Sequence, residues 1–271
     1  MKVEFAQLAG RDSDTAHNLQ CALAAIAACD SDTRLVVFPE TYLMGFPTVD
    51  TVAAVAEPLD GPTVQAVQRL AHERNIAVVI GFAENAGGRF YNTTLLITPE
   101  GIALRYRKTH LWPSERGVFE PGDRFATCEW NGVRIGLLIC YDIEFPETAR
   151  ALAQLGVDLL IVTNGNMDPY GPTHRTAIMA RAQENQALAV MVNRVGAGTG
   201  ALVFAGGSAL VDPFGTLLHE AGREECQFSV ELDFSQLQAA RQDYRYLDDQ
   251  RIRLPGRVIE HADGLRELLI P

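Results

Sequence analysis

Short apolar runs alternate with longer amphipathic segments along most of the chain, a pattern that predicts strands separated by helices. Near the N-terminus, Lys2–Gln7 is a predicted strand, and Asp14 can cap a helix that continues to about Ala28. Residues 34–38 form a buried apolar run, which Pro39 ends because proline lacks the amide hydrogen that a central strand needs. This order of elements favours an α/β layered fold over a helix bundle or an all-β sandwich.

The same alternation continues to residue 232. Further strands are predicted at residues 76–83, 90–97, 102–107, 127–130, 133–140, 159–162, 188–193 and 227–232. Helices are predicted after the turn at residues 61–63, over residues 146–155 and over about 173–186. Two dipeptides, Asn131-Gly132 and Gly206-Gly207, predict tight hairpins between neighbouring strands.

Composition indicates that these elements form one domain. Of the 271 residues, 47% are hydrophobic, and glycine and proline are scattered along the chain instead of concentrated in a linker. We therefore expect a single domain over residues 1–271. Residues 242–271 are rich in arginine and aspartate and contain an isolated Pro255, so this segment is predicted to be an extended C-terminal arm and is a candidate for contacts between subunits.

The charge of the chain argues against two classes of partner. There are 23 basic and 34 acidic side chains, and the net charge of −11 would repel nucleic acids and anionic lipids. No apolar run approaches the roughly 20 residues that a membrane span needs, and the N-terminal segment turns polar before a signal-peptide core is complete. The sequence therefore predicts a cytoplasmic protein that binds neither nucleic acid nor membrane.

Five cysteines, at positions 21, 29, 128, 140 and 226, include no Cys-x-x-Cys pair. An odd number without such spacing fits neither a disulfide framework nor a zinc site, so reduced thiols and no metal are predicted. Four of these cysteines lie in or beside helical or strand-like segments and are interpreted as small buried side chains. Cys140 differs because it ends a predicted strand, just as Glu40 and Lys108 each follow one.

These three strand ends carry the groups that amide hydrolysis requires. The reaction needs a nucleophile, a base that passes the proton of the nucleophile to the leaving amine, and hydrogen-bond donors for the carbonyl oxygen as it becomes negative. A thiol with an ordinary pKa of about 8.5 is mostly neutral at pH 7 and needs a nearby base or ammonium group to react. Glu40 and Lys108 are candidates for these tasks beside Cys140, because such sites are usually built at the ends of adjacent strands.

Three sequence blocks carry a resemblance to a known family. The segments VVFPETYLMGF (36–46), RYRKTHLW (105–112) and GLLICYDIEFPETAR (136–150) resemble the three signature blocks of the nitrilase superfamily of carbon-nitrogen hydrolases, in the order of the family. Each block alone is a weak match, whereas all three at predicted strand ends make a specific one. The resemblance spans nearly the whole chain. It implies a four-layer α-β-β-α sandwich, a Glu-Lys-Cys triad, no metal or organic cofactor, and a homodimer or larger homo-oligomer.

Carried over to this sequence, the resemblance implies a role for each residue of the triad. Glu40 would be the general base and acid, and Lys108 would stabilise the tetrahedral intermediate. Cys140 would be the nucleophile and form a thioester. The backbone N–H of Tyr141 would be the second oxyanion donor.

The resemblance also indicates residues around the triad. A further glutamate of the family follows the lysine block; Glu115 matches it and would orient the substrate amide or the lysine, while Glu120 competes but lies beside a Pro-Gly turn. Asn164, Asn166 and Met167 follow another buried strand, where the substrate-pocket loop of the family begins. These three are either pocket residues or simple turn formers.

Glu144 gives an expectation about substrate charge. Relatives that bind a carboxylate commonly have an arginine at this place, because its planar fork grips carboxylates. A glutamate there would repel a substrate carboxylate and favour an ammonium group. The alternative is that Glu144 faces solvent or an internal arginine, because charged side chains are seldom buried unpaired.

The sequence therefore predicts an amidase that hydrolyses small aliphatic or amino-acid amides to a carboxylic acid and ammonia. An N-carbamoyl amide hydrolase and a nitrilase are alternatives within the superfamily, although nitrilases usually follow the cysteine with Trp-Glu and this chain has Tyr141-Asp142. The alternative outside the enzymes is a catalytically silent scaffold or binding protein. The intact Glu40, Lys108 and Cys140 argue against it.

Overall fold

The computed structural model describes residues 1–270 of the chain, except for the side chain of Asp243. The described residues form two large sheets and one small hairpin. The strands are, in chain order, β1 (Lys2–Gln7), β2 (Leu35–Val37), β3 (Ala77–Ala86), β4 (Arg89–Thr98), β5 (Gly101–Arg107), β6 (Arg124–Trp130), β7 (Val133–Ile139), β8 (Leu159–Asn164), β9 (Leu188–Asn193), β10 (Val195–Ala197), β11 (Val203–Ala205), β12 (Ala209–Val211), β13 (Leu217–Glu220), β14 (Cys226–Glu231), β15 (Val258–Glu260) and β16 (Arg266–Leu269).

Helices connect many of these strands. They are α1 (Thr15–Ala28), α2 (Val52–Val55), α3 (Pro62–Arg74), α4 (Pro146–Gln154), α5 (Gly171–Asn185), α6 (Ser235–Asp243) and α7 (Tyr246–Asp249), with 3-10 turns at Pro113–Glu115 and Cys140–Glu144. Asp14 caps α1 as the sequence predicted, because its side chain accepts a hydrogen bond from the backbone N of His17 at 3.1 Å. None of the helices within residues 1–270 is long and apolar enough to cross a membrane.

The order of strands brings several strand ends together. The first sheet has the order β14-β1-β2-β3-β4-β5, and the second has the order β13-β12-β9-β8-β7-β6-β16-β15. Each sheet contains a set of three parallel strands, β1-β2-β3 in the first and β7-β8-β9 in the second. The backbone N of Glu40, just after β2, donates to the carbonyl of Asn164 at the end of β8 (3.2 Å). The segments after β2 and β8 therefore meet at one end of the two sheets.

The two sheets pack face to face, and helices cover their outer faces. Val37 of β2 and Leu137 of β7 belong to one shared core between the sheets. The neighbouring Val36 belongs to a second core with Ile26 of α1 and Val67 of α3, because successive strand side chains face opposite sides of a sheet. Helices α4 and α5 pack on the other face of the second sheet. The predicted four-layer α-β-β-α sandwich is confirmed.

One of the two predicted hairpins is present, and the prediction of the other is wrong. Asn131 and Gly132 have φ angles of 51° and 73°, as a tight turn between the antiparallel strands β6 and β7 requires. Gly206 and Gly207 do not join a hairpin, because β11 pairs with β10 whereas β12 pairs with β9 and β13. Their φ angles of 62° and 71° turn the chain from the small hairpin into the second sheet. The glycines identified a bend but not the strands that it separates.

The C-terminal segment differs from the extended arm that its composition predicted. Strand β16 pairs antiparallel with β6, and Leu268 is 4% exposed within the shared core. This pairing covers backbone groups at the edge of β6 that would otherwise be unpaired. Ile252, between α7 and β15, is 91% exposed, and Pro271 lies outside the described residues. Contact between subunits through residues 242–271 stays a prediction.

Candidate active site

Four predicted site residues line a single cavity. Glu40 follows β2, Lys108 follows β5 and Cys140 follows β7, while Glu115 ends a 3-10 turn. All four are buried, with 8% exposure for Cys140 and less for the others. The cavity that they line has a volume of about 150 Å³. The fold thus brings Glu115 together with the three residues that the sequence blocks carried separately.

Lys108 bridges the two glutamates. Its Nζ donates to Glu40 Oε1 at 2.7 Å and to Glu115 Oε2 at 2.6 Å. Asn92 of β4 donates from Nδ2 to Glu40 Oε1 and to Glu115 Oε1, both at 2.7 Å. The Oε2 atom of Glu40 is buried and accepts no hydrogen bond from the described residues. One oxygen of Glu40 is therefore held by two donors, and the other is available to accept a proton.

Two glycines let the Glu40 segment approach its neighbours. A Cβ atom on Gly81 of β3 would lie 2.3 Å from the backbone N of Thr41, and one on Gly165 would lie 2.7 Å from Glu40 Oε2. Thr41 itself has a φ of 43°, a left-handed conformation that few non-glycine residues adopt. This close packing fixes the turn that directs Glu40 into the cavity.

Cys140 also lies in a strained turn. Its φ of 44° is left-handed, and it starts a 3-10 turn directly after β7. Asp142 in this turn is fully buried and accepts hydrogen bonds from the backbone N of Ile139 at 3.2 Å and from the backbone N of His110 at 2.9 Å. Because His110 follows Lys108 by two positions, Asp142 ties the cysteine turn to the lysine segment.

Burial is the largest single influence on the pKa values of Glu40, Lys108 and Cys140. It raises the pKa of Glu40, with Glu115 adding to the rise and Lys108 and Asn92 opposing it. Burial alone would lower the pKa of Lys108, but the two carboxylates outweigh it and the pKa is raised. Burial, and then the Glu40 carboxylate, raise the pKa of the Cys140 thiol against the effect of Lys108. Burial therefore favours the neutral thiol of Cys140, while the neighbouring carboxyl groups favour the ammonium form of Lys108.

The rest of the cavity wall is mainly apolar. Its apolar and aromatic residues are Phe46, Trp112, Tyr141, Met167, Tyr170, Leu202 and Phe204. Phe46 and Phe204 stack with their ring centroids 5.5 Å apart, and Trp112 meets the ring of Tyr141 edge-on at 5.0 Å. Such a wall is suited to hold the carbon skeleton of a small molecule.

Glu144 contributes a further polar group to the cavity. Its Oε1 lies 3.0 Å from Nε2 of His174, and Nδ1 of His174 lies 3.1 Å from Oδ1 of Asn164. Glu144 thus contacts a histidine and not an arginine, and the side chain of Glu144 is 27% exposed. Glu144 therefore adds an acidic group to the cavity wall.

Three of the four predicted pocket residues line the cavity: Glu144, Asn166 and Met167. Asn164 does not line it. As the last residue of β8 it is fully buried, and its Nδ2 donates to Sδ of Met191 on β9 at 3.3 Å. Asn164 thus reaches the cavity only through His174, because its side chain packs within the sheet and not in the following loop.

The other cysteines lie away from this cavity. All five cysteines are free thiols, and Cys140 alone among them lines the cavity. Cys29 and Cys128 are buried as expected, whereas Cys21 and Cys226 are only partly buried. Within the described part of the chain, no group of three His, Cys, Asp or Glu side chains is arranged to hold a metal ion.

Comparison with known proteins identifies the family. The sequence model described as carbon-nitrogen hydrolase matches residues 2–242. The chain belongs to the carbon-nitrogen hydrolase family. An (R)-stereoselective amidase of Pseudomonas sp. is 67% identical over 270 residues, which cover 100% of this chain and 98% of that relative. The resemblance to the nitrilase superfamily that the three sequence blocks indicated is confirmed.

Solved structures of other carbon-nitrogen hydrolases share the fold. An amidase variant from Nesterenkonia sp. AN1 is 29% identical with a TM-score of 0.83, covers 93% of this chain and 96% of its own, and shows acrylamide added to its active-site cysteine. A CN-hydrolase superfamily protein from Xanthomonas campestris is 27% identical with a TM-score of 0.87, over 94% of this chain and 99% of its own. The latter has an arsenic adduct in its active site.

Sequence reasoning missed several residues in and around the cavity of this carbon-nitrogen hydrolase. Leu202 and Phe204 come from the β10–β11 hairpin, and no local pattern connects them with the three blocks. Asn92 lies inside β4 and has no motif of its own. Phe46 and Trp112, in contrast, are part of the segments that carried the resemblance, so the blocks themselves were the signal that could have found them.

Proposed function

We propose that this chain is an amidase that hydrolyses the C–N bond of small amides through a covalent Cys140 thioester. The observation that carries the proposal is the state of Glu40. One of its carboxylate oxygens is held by Lys108 and Asn92, and the other is buried, without a donor among the described residues, in the cavity that contains Cys140. Such an oxygen is suited to take a proton from a thiol that burial keeps neutral.

The first half-reaction releases ammonia. Cys140 Sγ attacks the amide carbonyl carbon while Glu40 Oε2 takes the thiol proton. The carbonyl oxygen becomes negative, and Lys108 Nζ and the backbone N–H of Tyr141 stabilise it. The C–N bond then breaks as Glu40 returns the proton to the leaving nitrogen. A thioester of Cys140 and free ammonia result.

The second half-reaction releases the acid. A water molecule attacks the thioester carbonyl while Glu40 takes one of its protons, and the same two donors stabilise the second tetrahedral intermediate. The C–S bond breaks, and Glu40 returns the proton to Cys140 Sγ. The carboxylic acid leaves, and the protonated thiol of the resting site is restored.

The comparisons support this reaction and add an expectation about stereochemistry. The relative that is 67% identical is an (R)-stereoselective amidase, and the adduct in the Nesterenkonia amidase lies on its active-site cysteine. The cavity of this chain offers three unlike surfaces to a chiral carbon, namely the reacting groups, the aromatic wall and Glu144. We propose that it also prefers the (R)-enantiomer of a small chiral amide.

A substrate panel tests the proposed function. Purified protein would be given aliphatic amides, both enantiomers of amino-acid amides, N-carbamoyl amino acids and nitriles, with ammonia release as the readout. Turnover that is fastest on an amide and faster on its (R)-enantiomer is the expected result. Fastest turnover of a carbamoyl compound or a nitrile would favour those activities instead, and no turnover of any compound would favour a scaffold or binding role.

Two glutamates of one loop allow a matched test of the site. Glu115→Gln is expected to lower kcat about 100-fold, because Lys108 and Asn92 lose their second anionic acceptor and no longer hold the site in place. Glu120→Gln is the control, because Glu120 is exposed and outside the cavity, and its kcat is expected within about twofold of wild type. Equal losses in the two variants would show that Glu115 has no special role.

Glu144 tests the charge of the substrate. If Glu144 contacts the acyl part of the substrate, it favours an ammonium group there and repels a carboxylate. The value of kcat/KM is then highest for an amino-acid amide, lower for a plain aliphatic amide and lowest for an N-carbamoyl amino acid. Glu144→Arg is expected to shift the ratio between the amino-acid amide and the carbamoyl acid by about tenfold or more toward the acid. An unchanged ratio in the variant would mean that Glu144 does not contact the substrate.

A further inference from the structure

We infer that Asn92 is a positioning residue of this site: it fixes the separation of Glu40 and Glu115 and selects Glu40 Oε2 as the oxygen that exchanges protons with the substrate and the thiol. The inference deepens the proposed function and rests on it, since it concerns the same base. Asn92 does not line the cavity and is fully buried, so it acts through the two carboxylates and not on the substrate.

The geometry of a planar amide explains how one side chain holds two carboxylates. The Nδ2 atom carries two hydrogens in fixed directions, and the 2.7 Å contacts to Glu40 Oε1 and Glu115 Oε1 use both. Lys108 bridges the same pair through Glu40 Oε1 and Glu115 Oε2. Four side chains therefore form a closed ring of hydrogen bonds, in which neither carboxylate can rotate without breaking a contact to a donor.

The orientation of the Asn92 amide indicates that its donors are what the site requires. Its Oδ1 is buried and accepts no hydrogen bond from the described residues. An unsatisfied buried carbonyl is destabilising, because it has lost its hydrogen bonds to water without gaining others. If the amide were rotated by 180°, its oxygen would face two carboxylates. The observed orientation leaves the oxygen unsatisfied but lets Nδ2 donate to both carboxylates.

The backbone of Asn92 adds a third connection. Its carbonyl accepts a hydrogen bond from the backbone N of Lys108 at 2.9 Å, so one residue of β4 holds the lysine segment and both glutamates. Two positions further along the strand, the hydroxyl groups of Thr94 and Thr163 lie 2.7 Å apart and join the two sheets. Asn92 therefore sits on a rigid element, as a residue that fixes the position of others needs to.

The double occupation of one oxygen determines where the proton goes. Because Asn92 and Lys108 both donate to Glu40 Oε1, the lone pairs available for a proton are those of Oε2. The hydrogen bond from Asn92 also opposes the rise in the pKa of Glu40 that burial causes. Without it, Glu40 would take up a proton at a higher pH and would be inactive as a base over a wider acidic range.

The test compares substitutions on one strand. In Asn92→Leu, which keeps the volume but removes both donors, the acidic limb of the kcat/KM profile is expected to move to higher pH by about one unit. Asn92→Ser, whose hydroxyl carries a single hydrogen, is a second variant in case the leucine variant does not fold, and the same direction of shift is expected. Thr94→Val is the control, because it also loses a buried hydrogen bond of β4 but does not contact either glutamate.

The outcomes separate the inference from the proposed function. A shifted acidic limb in the Asn92 variants, with the profile of Thr94→Val unshifted, supports the positioning role. The inference would be overturned if the folded Asn92 variants showed an unshifted acidic limb, or if they lost activity uniformly at every pH as Thr94→Val does. The amidase proposal would remain intact in either case, provided that the wild-type protein hydrolyses amides. No amide turnover by the wild-type protein would overturn the proposed function itself.

Discussion

Replacing Cys140 with alanine or serine is expected to lower amide turnover by a factor of about 10⁴ or more, because the thioester can no longer form. Both substitutions change the side-chain volume little and keep a non-glycine residue at the left-handed position, so the fold is expected to be retained. Steady-state ammonia release measures the first effect, and a thermal unfolding curve checks the second. Turnover near the wild-type rate in either variant would exclude the proposed mechanism.

Cys128 provides the matched control for this prediction. It is also buried, and burial raises the pKa of its thiol to about 11, but it lies on β6 outside the cavity. Cys128→Ala is expected to cost stability, by about 1 kcal/mol, and to leave kcat unchanged. In the wild-type protein, iodoacetamide is expected to abolish turnover in proportion to the labelling of Cys140, whereas labelling of other cysteines without that of Cys140 leaves turnover intact.

Glu40→Gln is expected to lower kcat by about 10³-fold, because the amide of glutamine can still accept a hydrogen bond from Lys108 but cannot take the proton of the thiol. The pH profile gives an independent readout. Burial raises the pKa of Glu40, so wild-type kcat/KM is lost as the pH falls through a value above the ordinary 4.3 or so of a glutamate. The residual activity of Glu40→Gln is expected to lack this acidic limb.

The control for Glu40 is another buried carboxylate. Glu4 of β1 is 8% exposed, and burial also raises its pKa, but it does not line the cavity. Glu4→Gln is expected to retain both the wild-type kcat and the acidic limb. Loss of the limb in this variant, or its persistence in Glu40→Gln, would assign the titration to a group other than Glu40.

The strand ends of the site could be predicted because short-range patterns determine them. Pro39 stops one apolar run, and the chain leaves another at Cys140, so the local sequence shows where a side chain emerges from a sheet. Which strand ends meet depends on the pairing of distant strands, which periodicity does not give. The resemblance of the three blocks supplied that information for Glu40, Lys108 and Cys140.

The parts of the site and fold that the sequence did not predict depend on contacts between distant residues, which no local pattern records. Asn164 is the last residue of β8 and the lining residue Asn166 lies just beyond the strand, yet the side chain of Asn164 is held within the sheet by His174 and Met191. Gly206 signals a bend equally well inside a hairpin and between two sheets. The arginine and acidic residues near the C-terminus masked β16, because this strand, which lies between β6 and β15, buries only Leu268.

The pairing of β1 with β14 has a consequence for how the protein is made. Lys2 lies opposite Glu231, and the N-terminal amine contacts the carboxylate of Glu231, 230 positions away in sequence. On its other side, β1 pairs with β2, the strand that leads into the Glu40 turn. Contacts over such sequence separations form slowly, and β14 is synthesised late. Most of the chain therefore emerges from the ribosome before β14 can pair with β1, and until then the first sheet has an unpaired edge at β1.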